Sequence, residues 1–393
     1  MNGQSGYGKI PAENPAVPEL QARQEEAMRY PEFLKAGETI GFAAPSFGCN
    51  IEPYRSCFDR AQEVFRKKGF GILCGPNAYA GDGVGISTAP ELCGKEFTDM
   101  YLSDVCQAIL SCGGGELMCE ILKYVDFERI AQAKPKWFMG YSDNTNLTFL
   151  LATLCDTASI YGPCAPSFGM APWHSAIKDA YRLLRGEKSV LEGYPFYETT
   201  PEKGPEQPLA PYHCTEPRSL TAYIPEKTIS SSDKANKTAN GRIVRPGGAG
   251  EVSFSGRLIG GCLDILANLC GTKYDRTVAF TEAYQNDGFV WFLEACDLNV
   301  FGIRRAIWEL QHAGWFEHVK GFLIGRPYVG QEKSLGLDHI HAVSDLLEVY
   351  RVPILFDVDI GHLPPMMPLI TGSLATVSAD LTAGTMTLSM KQV

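Results

Sequence analysis

Short apolar runs alternate with amphipathic stretches along most of the chain. ETIGFAA (38–44), FGILCG (70–75), QAILSC (107–112), KWFMG (136–140) and ASIYG (158–162) have the length and composition of buried strands. Between them lie PYRSCFDRAQEVFRKKG, PELCGKEFTDMYLSD, ELMCEILKYV and DNTNLTFLLATL, whose apolar positions recur at helical spacing. Strand and helix in strict alternation predict an open, mostly parallel sheet with helices on both faces over 31–170. In such a sheet the chemistry collects at the carboxyl ends of the strands. A helix over HSAIKDAYRLLRG follows. The stretch 195–250 is then rich in Pro, Thr, Lys and Ser and poor in apolar residues, so 171–250 reads as a connecting helix and a long insertion. Regular patterning returns with GRLIGGCLDILANLCGT, the strands GFVWFLEA, GFLIG and PILFD, and the helices NVFGIRRAIWELQHAG and DHIHAVSDLLEVY. The end, LITGSLATVSADLTAGTMTLSM, alternates with period two around a turn at LTAG and predicts an antiparallel hairpin. A second, mixed α/β domain with antiparallel strands is therefore expected over 251–393, and residues 1–30 read as an N-terminal extension.

Composition narrows the function classes. The chain has 393 residues, 45% of them hydrophobic, and a net charge of −10 with no Lys/Arg stripe, which argues against a nucleic-acid partner. Thirteen cysteines, an odd number without regular spacing, do not make a secreted disulfide framework, and several sit in apolar runs as small hydrophobes. The N-terminal residues have no signal-peptide core, and no apolar run is long enough for a membrane span. These features predict a cytoplasmic protein with no membrane partner.

Candidate chemistry begins at GYSDNT. Ser142 stands between an apolar strand and an amphipathic helix, where a sharp turn exposes a hydroxyl and helix-start N–H groups favour a developing oxyanion. The same residues also fit an ordinary helix N-cap, and Asn144 replaces the second glycine of a G-x-S-x-G elbow. SCGGGE (111–116) is a second strand-to-helix loop, whose glycines Gly113, Gly114 and Gly115 permit close backbone approach. It lacks the Lys-Ser/Thr of a phosphate-binding loop. GDGVGIS (81–87) is a weak dinucleotide match and reads as a loop. A serine nucleophile needs a base, and the base needs an orienting acid. Of the seven histidines, His362 lies straight after a strand in a Gly/Pro-fixed turn, GHLPP. Glu294 closes the buried run GFVWFLEA, where a carboxylate requires a partner; Asp297 is the neighbouring alternative. His339 and His341, two apart, are the beginning of a metal pair that fits no strong zinc signature.

Five pieces in order, GETIGFAAPS, CGGGE, GYSDNT, FLEA and GHLPPMMPLITG, make the chain from about residue 33 onward resemble the LD-carboxypeptidase family of serine peptidases. That family includes muropeptide LD-carboxypeptidases and microcin C immunity proteins. The resemblance implies a Ser142–Glu294–His362 triad and an oxyanion hole from the backbone N–H of Asp143 and Gly114. It also implies an active site between the two domains, no metal or other cofactor, and a homodimer. Gly113, Gly115 and Tyr212 are the expected substrate contacts. The substrate would be a murein-type peptide cut before a terminal residue, or a peptidyl or aminoacyl adenylate. Glu294-Ala295 departs from the family's usual Glu-Asp, and Gly113 stands where the muropeptide enzymes have Arg. ASIYGPCAPSFG and the 195–250 insertion look more like the immunity branch. A protein that keeps the fold without the chemistry is the non-enzymatic alternative.

Overall fold

The structure is a computed structural model, and it describes residues 27–226 and 241–393. Most of the expected N-terminal extension and the middle of the polar insertion lie outside the described residues. The five predicted strands form β1 (Thr39–Ala43), β2 (Gly71–Cys74), β3 (Ala108–Ser111), β4 (Trp137–Gly140) and β5 (Ser159–Tyr161). They are parallel in the order β2-β1-β3-β4-β5. The chain leaves β1 through helix α1 (Tyr54–Lys67) to reach β2, then returns through α2 (Pro90–Leu102) to β3 on the other side. Connections therefore diverge between β1 and β3, which opens a crevice at their carboxyl ends. The loops after those two strands meet there: the Phe47 N–H donates to the Gly114 carbonyl at 2.8 Å, and the Cys112 N–H to that of Ala43 at 2.8 Å.

ELMCEILKYV folds as a tight 3-10 turn over Met118–Tyr124 rather than an α-helix. Its first N–H is taken by the Asp143 carboxylate at 2.9 Å. After β4, residues Ser142–Asn144 make one 3-10 turn that runs into α4 (Thr145–Cys155), buried along nearly its whole length. Helices α3 (Phe127–Gln132) and α5 (Ser175–Leu184) complete this half.

Among the described residues the second sheet has nine strands. Its centre is parallel: β11 (Glu251–Cys262), β12 (Phe289–Glu294), β13 (Val319–Gly325) and β14 (Ile354–Val358). The C-terminal hairpin, β16 (Leu374–Asp380) and β17 (Thr385–Lys391), extends it antiparallel from β11. The connection over 171–250 supplies both edges, with β6 (Val190–Glu192) beyond β17, and β9 (Thr221–Pro225) and β10 (Gly241–Val244) beyond β14. A separate two-stranded ribbon, β7 (Phe196–Tyr197) with β8 (Glu216–Pro217), comes from the same stretch. The hairpin expectation needs one correction. LIT does not belong to the hairpin but forms β15 (Leu369–Thr371), which crosses over to pair antiparallel with β5 and finishes the first sheet. Gly372, at φ +91°, sits in the turn that redirects the chain between the two sheets.

Helices α6 (Leu263–Leu269), α7 (Thr277–Ala283), α8 (Val300–His312) and α9 (His339–Leu347) follow the central strands. The two halves share one core. The carboxyl half of β11 is buried on both faces and lies against α4, where a Cβ on Gly261 would stand 2.4 Å from Thr145 Cγ2. Only a glycine lets the strand come so close. The Thr145 hydroxyl accepts the Cys262 N–H at 2.9 Å, and Phe149 of α4 stacks on Trp315 at 5.2 Å. The start of α4 is thereby fixed against the strand next to β12. Among the described residues no helix is long and apolar enough to cross a membrane.

Candidate active site

Ser142 sits at the turn out of β4 with φ +64°, a left-handed conformation that is costly for a non-glycine residue and concentrates at functional sites. The turn is held from several sides. The Ser142 N–H donates to the Tyr161 hydroxyl at 3.2 Å. Asn144, whose presence departs from the G-x-S-x-G pattern, is a tie: its Nδ2 donates to the carbonyls of Tyr141 (2.9 Å) and Gly113 (2.8 Å). The Gly113 carbonyl also accepts the Ser111 hydroxyl at 2.9 Å. A trans peptide points its N–H opposite to its carbonyl, so anchoring the Gly113 carbonyl also fixes the direction of the Gly114 N–H. Gly114 lies directly against the nucleophile candidate: a Cβ there would be 3.1 Å from Ser142 Cβ and 3.3 Å from its hydroxyl. Gly113 packs on Phe47, and a Cβ on Gly115 would collide with the Ser46 hydroxyl at 2.1 Å.

Asp143 turns its side chain inward. Its carboxylate accepts from the Ser46 hydroxyl (2.6 Å), the Met118 N–H (2.9 Å) and Asn146 Nδ2 (3.0 Å). Burial pushes its pKa up to about 6, against the lowering effect of the Ser46 and Met118 hydrogen bonds. The carboxylate thus bolts the turn to the loops after β1 and β3.

The second sheet brings its two side chains to the same point. Glu294 is the last residue of β12, and its carboxylate is fully buried. His362 follows β14 in the turn Asp359–His362, with its imidazole only 13% exposed. His362 Nε2 lies 2.8 Å from the Ser142 hydroxyl, and Nδ1 lies 2.9 Å from Glu294 Oε2. The other carboxylate oxygen, Oε1, accepts the Tyr161 hydroxyl at 2.5 Å. Tyr161 therefore accepts from the serine's backbone and donates to the acid, joining both ends of the chain of hydrogen bonds. The Tyr141 ring covers the imidazole at 5.2 Å.

Electrostatics follow from this burial. Desolvation alone would raise the pKa of Glu294, but the His362 charge and the hydrogen bonds from His362 and Tyr161 outweigh it and hold the carboxyl below its usual range. Burial alone would lower the pKa of His362, but the Glu294 charge dominates and lifts it well above an ordinary imidazole. A hydroxyl, an imidazole and an ionised carboxylate in this order can pass a proton from the hydroxyl to Nε2 while the carboxylate stabilises the imidazolium.

The remaining candidates fall elsewhere. Asp297 is exposed, and its N–H donates to Asp264 Oδ1 at 3.0 Å, away from His362. His339 and His341 face different carboxylates, Asp357 at 3.1 Å and Asp338 at 2.7 Å, and among the described residues no three His, Cys, Asp or Glu side chains group as metal ligands. His174 caps α5, His213 and His318 face glutamates, and His312 packs on Trp308. Tyr212 is partly buried beside His174, with ring centroids 5.5 Å apart. Sequence reasoning missed Tyr161. It lies in the strand ASIYG, and only its place at a strand end beside the elbow marks it out.

A buried Ser-His-Glu chain between two α/β sheets is the arrangement of a serine hydrolase. Residues 40–162 match the N-terminal domain of LD-carboxypeptidases and residues 255–377 their C-terminal domain, together more than half of the chain. The chain belongs to the LD-carboxypeptidase family, whose members are serine carboxypeptidase hydrolases. It is 25% identical to the microcin C7 self-immunity protein MccF of Escherichia coli, over 88% of this chain and 92% of that one. The MccF structure in complex with glutamyl sulfamoyl guanosine superposes with a TM-score of 0.64 at 20% identity, covering 92% of this chain and 98% of MccF. An MccF-like protein from Bacillus anthracis gives a TM-score of 0.67 at 22% identity, over 92% and 99% of the two chains. Muramoyltetrapeptide carboxypeptidase from Oxalobacter formigenes gives 0.62 at 17% identity, over 90% and 99%.

Proposed function

We propose that the chain is a serine peptidase of the LD-carboxypeptidase kind that cuts the amide before a terminal carboxyl-bearing residue of a murein-type peptide. The observation that carries this reading is the hydrogen-bonded line from the Ser142 hydroxyl through His362 to Glu294, at 2.8 and 2.9 Å. Ser142 attacks the amide carbonyl while His362 Nε2 takes its proton. Glu294 holds the imidazole in the required tautomer and stabilises its charged form. The oxyanion rests against the backbone N–H of Asp143 and Gly114, and the lack of a side chain at Gly114 leaves room for it. His362 then returns the proton to the leaving amine, and water releases the acyl group by the reverse route. Gly113, Gly115 and Tyr212 line the approach, and the working unit is a homodimer.

A second reading is hydrolysis of an acyl-nucleotide amide, favoured by the complex of MccF with glutamyl sulfamoyl guanosine. Hydrolysis of a murein tetrapeptide and of an aminoacyl sulfamoyl adenosine, measured side by side on one preparation, separates the two. The first reading expects release of the terminal amino acid from the peptide. Turnover of the nucleotide alone overturns it in favour of the second. A non-catalytic binder would turn over neither and would form no acyl adduct at Ser142. Light scattering tests the dimer.

A further inference from the structure

The polar stretch read from the sequence as an insertion is anchored to the loop that carries His362. Its ribbon is hydrogen-bonded to the His362 turn on both sides of the histidine: the Tyr194 N–H donates to Asp359 Oδ2 at 2.7 Å, and the Glu198 N–H to the Pro364 carbonyl at 2.7 Å. Arg218 follows β8 directly, and its own N–H is tied to the Pro195 carbonyl at 2.9 Å. Arg326 follows β13, and its Nη2 pairs with Asp359 Oδ1 at 2.5 Å, both side chains being almost wholly buried. Tyr197 of the ribbon covers the Arg326 guanidinium at 4.4 Å.

Two guanidinium groups therefore lie near one carboxylate, and only Arg326 is paired with it. A Cβ built on Gly193 would be 2.3 Å from Arg218 Nη1 and 3.2 Å from Asp359 Oδ2, so both atoms press on the Gly193 backbone and lie close together. Both oxygens of Asp359 are already engaged by other donors, and no hydrogen bond joins it to Arg218 among the described residues. Three buried guanidinium nitrogens consequently lack an acceptor among the described residues: Arg218 Nε, Arg218 Nη1 and Arg326 Nε. Burial, and the like charge of Arg326, hold the Arg218 pKa below its usual value despite Asp359. Buried N–H donors on a cation are expensive to leave unpaired, and a planar fork with an open edge matches an oxyanion.

From this cluster we infer that Arg218, backed by Arg326, is the substrate's oxyanion receptor: it takes the free terminal carboxylate of the residue that the Ser142 site releases. The inference rests on the peptidase reading above for the identity of that oxyanion. A phosphoryl group of an acyl nucleotide offers the same chemistry. The ribbon thus has a purpose in specificity, placing a cation near Asp359, three residues before the catalytic histidine. A carboxypeptidase must reject internal amides, and a fork that goes unsatisfied without a carboxylate does so.

Calorimetric titration of the Ser142→Ala protein with three probes tests this: a murein tetrapeptide with a free terminal carboxylate, its terminal carboxamide, and adenosine monophosphate. The acid is expected to bind about 10–100-fold more tightly than the carboxamide, the worth of a charge-assisted hydrogen bond. Adding Arg218→Met should erase that preference and leave the carboxamide affinity unchanged, which also shows the variant is folded. Arg218→Lys should restore part of it. If Arg218→Met instead weakens only the nucleotide, the receptor stands and its oxyanion is the phosphoryl one. An acid preference that survives Arg218→Met with nucleotide binding also unchanged, equal binding of acid and carboxamide with no loss for the nucleotide, or no binding of any probe overturns the receptor. The peptidase reading is judged separately, by tetrapeptide hydrolysis with Ser142 present. Hydrolysis with an unaltered acid preference in Arg218→Met rejects the receptor alone.

Discussion

The two sheets contribute to the site in opposite ways. The first supplies the proposed nucleophile through backbone: a serine at φ +64°, a glycine loop whose Gly113 carbonyl is tied by Asn144 and Ser111, and a tyrosine that accepts the serine's own N–H. The second supplies buried side-chain charge, Glu294 at a strand end and His362 in a turn, each shifting the other's ionisation. Neither half holds a working set. The serine and histidine are 220 residues apart in sequence and meet only because β11 packs on α4 and β15 crosses into the first sheet. Position is set by one half and proton affinity by the other.

That division predicts graded effects. Ser142→Ala or His362→Ala should lower kcat by about 10⁴–10⁶-fold, measured on whichever amide the wild type turns over, with no change in fold by circular dichroism. Glu294→Gln keeps the shape but removes the charge and should cost about 10²–10⁴-fold. It also makes a directional pH prediction. His362 acts as base only when neutral, and Glu294 holds its pKa above the ordinary imidazole value. The wild-type kcat/KM should therefore rise with pH through a pKa above about 6.5, and in Glu294→Gln that limb should move to lower pH. An unmoved limb would mean that the two halves are not electrically coupled.

Tyr161→Phe probes the link between the halves. It removes a neutral hydrogen bond from the Ser142 N–H, worth about 0.5–1.5 kcal/mol, and a charge-assisted one to Glu294, worth about 1.5–3 kcal/mol; with about half of that felt in the transition state, a loss of roughly 5–50-fold in kcat is expected. The smallest effect concerns stability alone. Asp143 has a pKa of about 6 in the folded chain, above the roughly 3.9 of an unfolded aspartate, so the folded state binds its proton more tightly. Stability from this group is present at low pH and declines as pH rises from about 4 to 6. The wild type should lose stability relative to Asp143→Asn across that window, as chemical denaturation at several pH values would show.

Much of this was legible in the sequence. The βα rhythm predicts all five parallel strands of the first sheet; β1, β3, β4 and β5 are buried on both faces and read as continuous apolar runs, while the edge strand β2 is only partly covered. KWFMGYSD marks the elbow for the same reason, a strand ending in a glycine and a serine before a helix. Glu294 stands out because an ionisable residue at the end of FVWFLE demands a partner. Other features were not legible. The crossover of LIT into the first sheet depends on tertiary pairing with β5, and its period-two pattern is the same as a hairpin's. The edge strands and ribbon of 190–244 are short and half-exposed, so they carry little apolar signal. Tyr161 and Asn144 look like ordinary strand and helix-start residues, and their roles arise from hydrogen bonds to residues far along the chain or in another loop.

In the proposed mechanism the second sheet activates a serine held by the first. Reaction of the intact chain with a fluorophosphonate, followed by peptide mass mapping, tests this most directly. One adduct is expected, on Ser142, forming at least about 10²-fold more slowly in His362→Ala, because the hydroxyl then has no base. Labelling at another residue, or a Ser142 rate indifferent to His362, would contradict it.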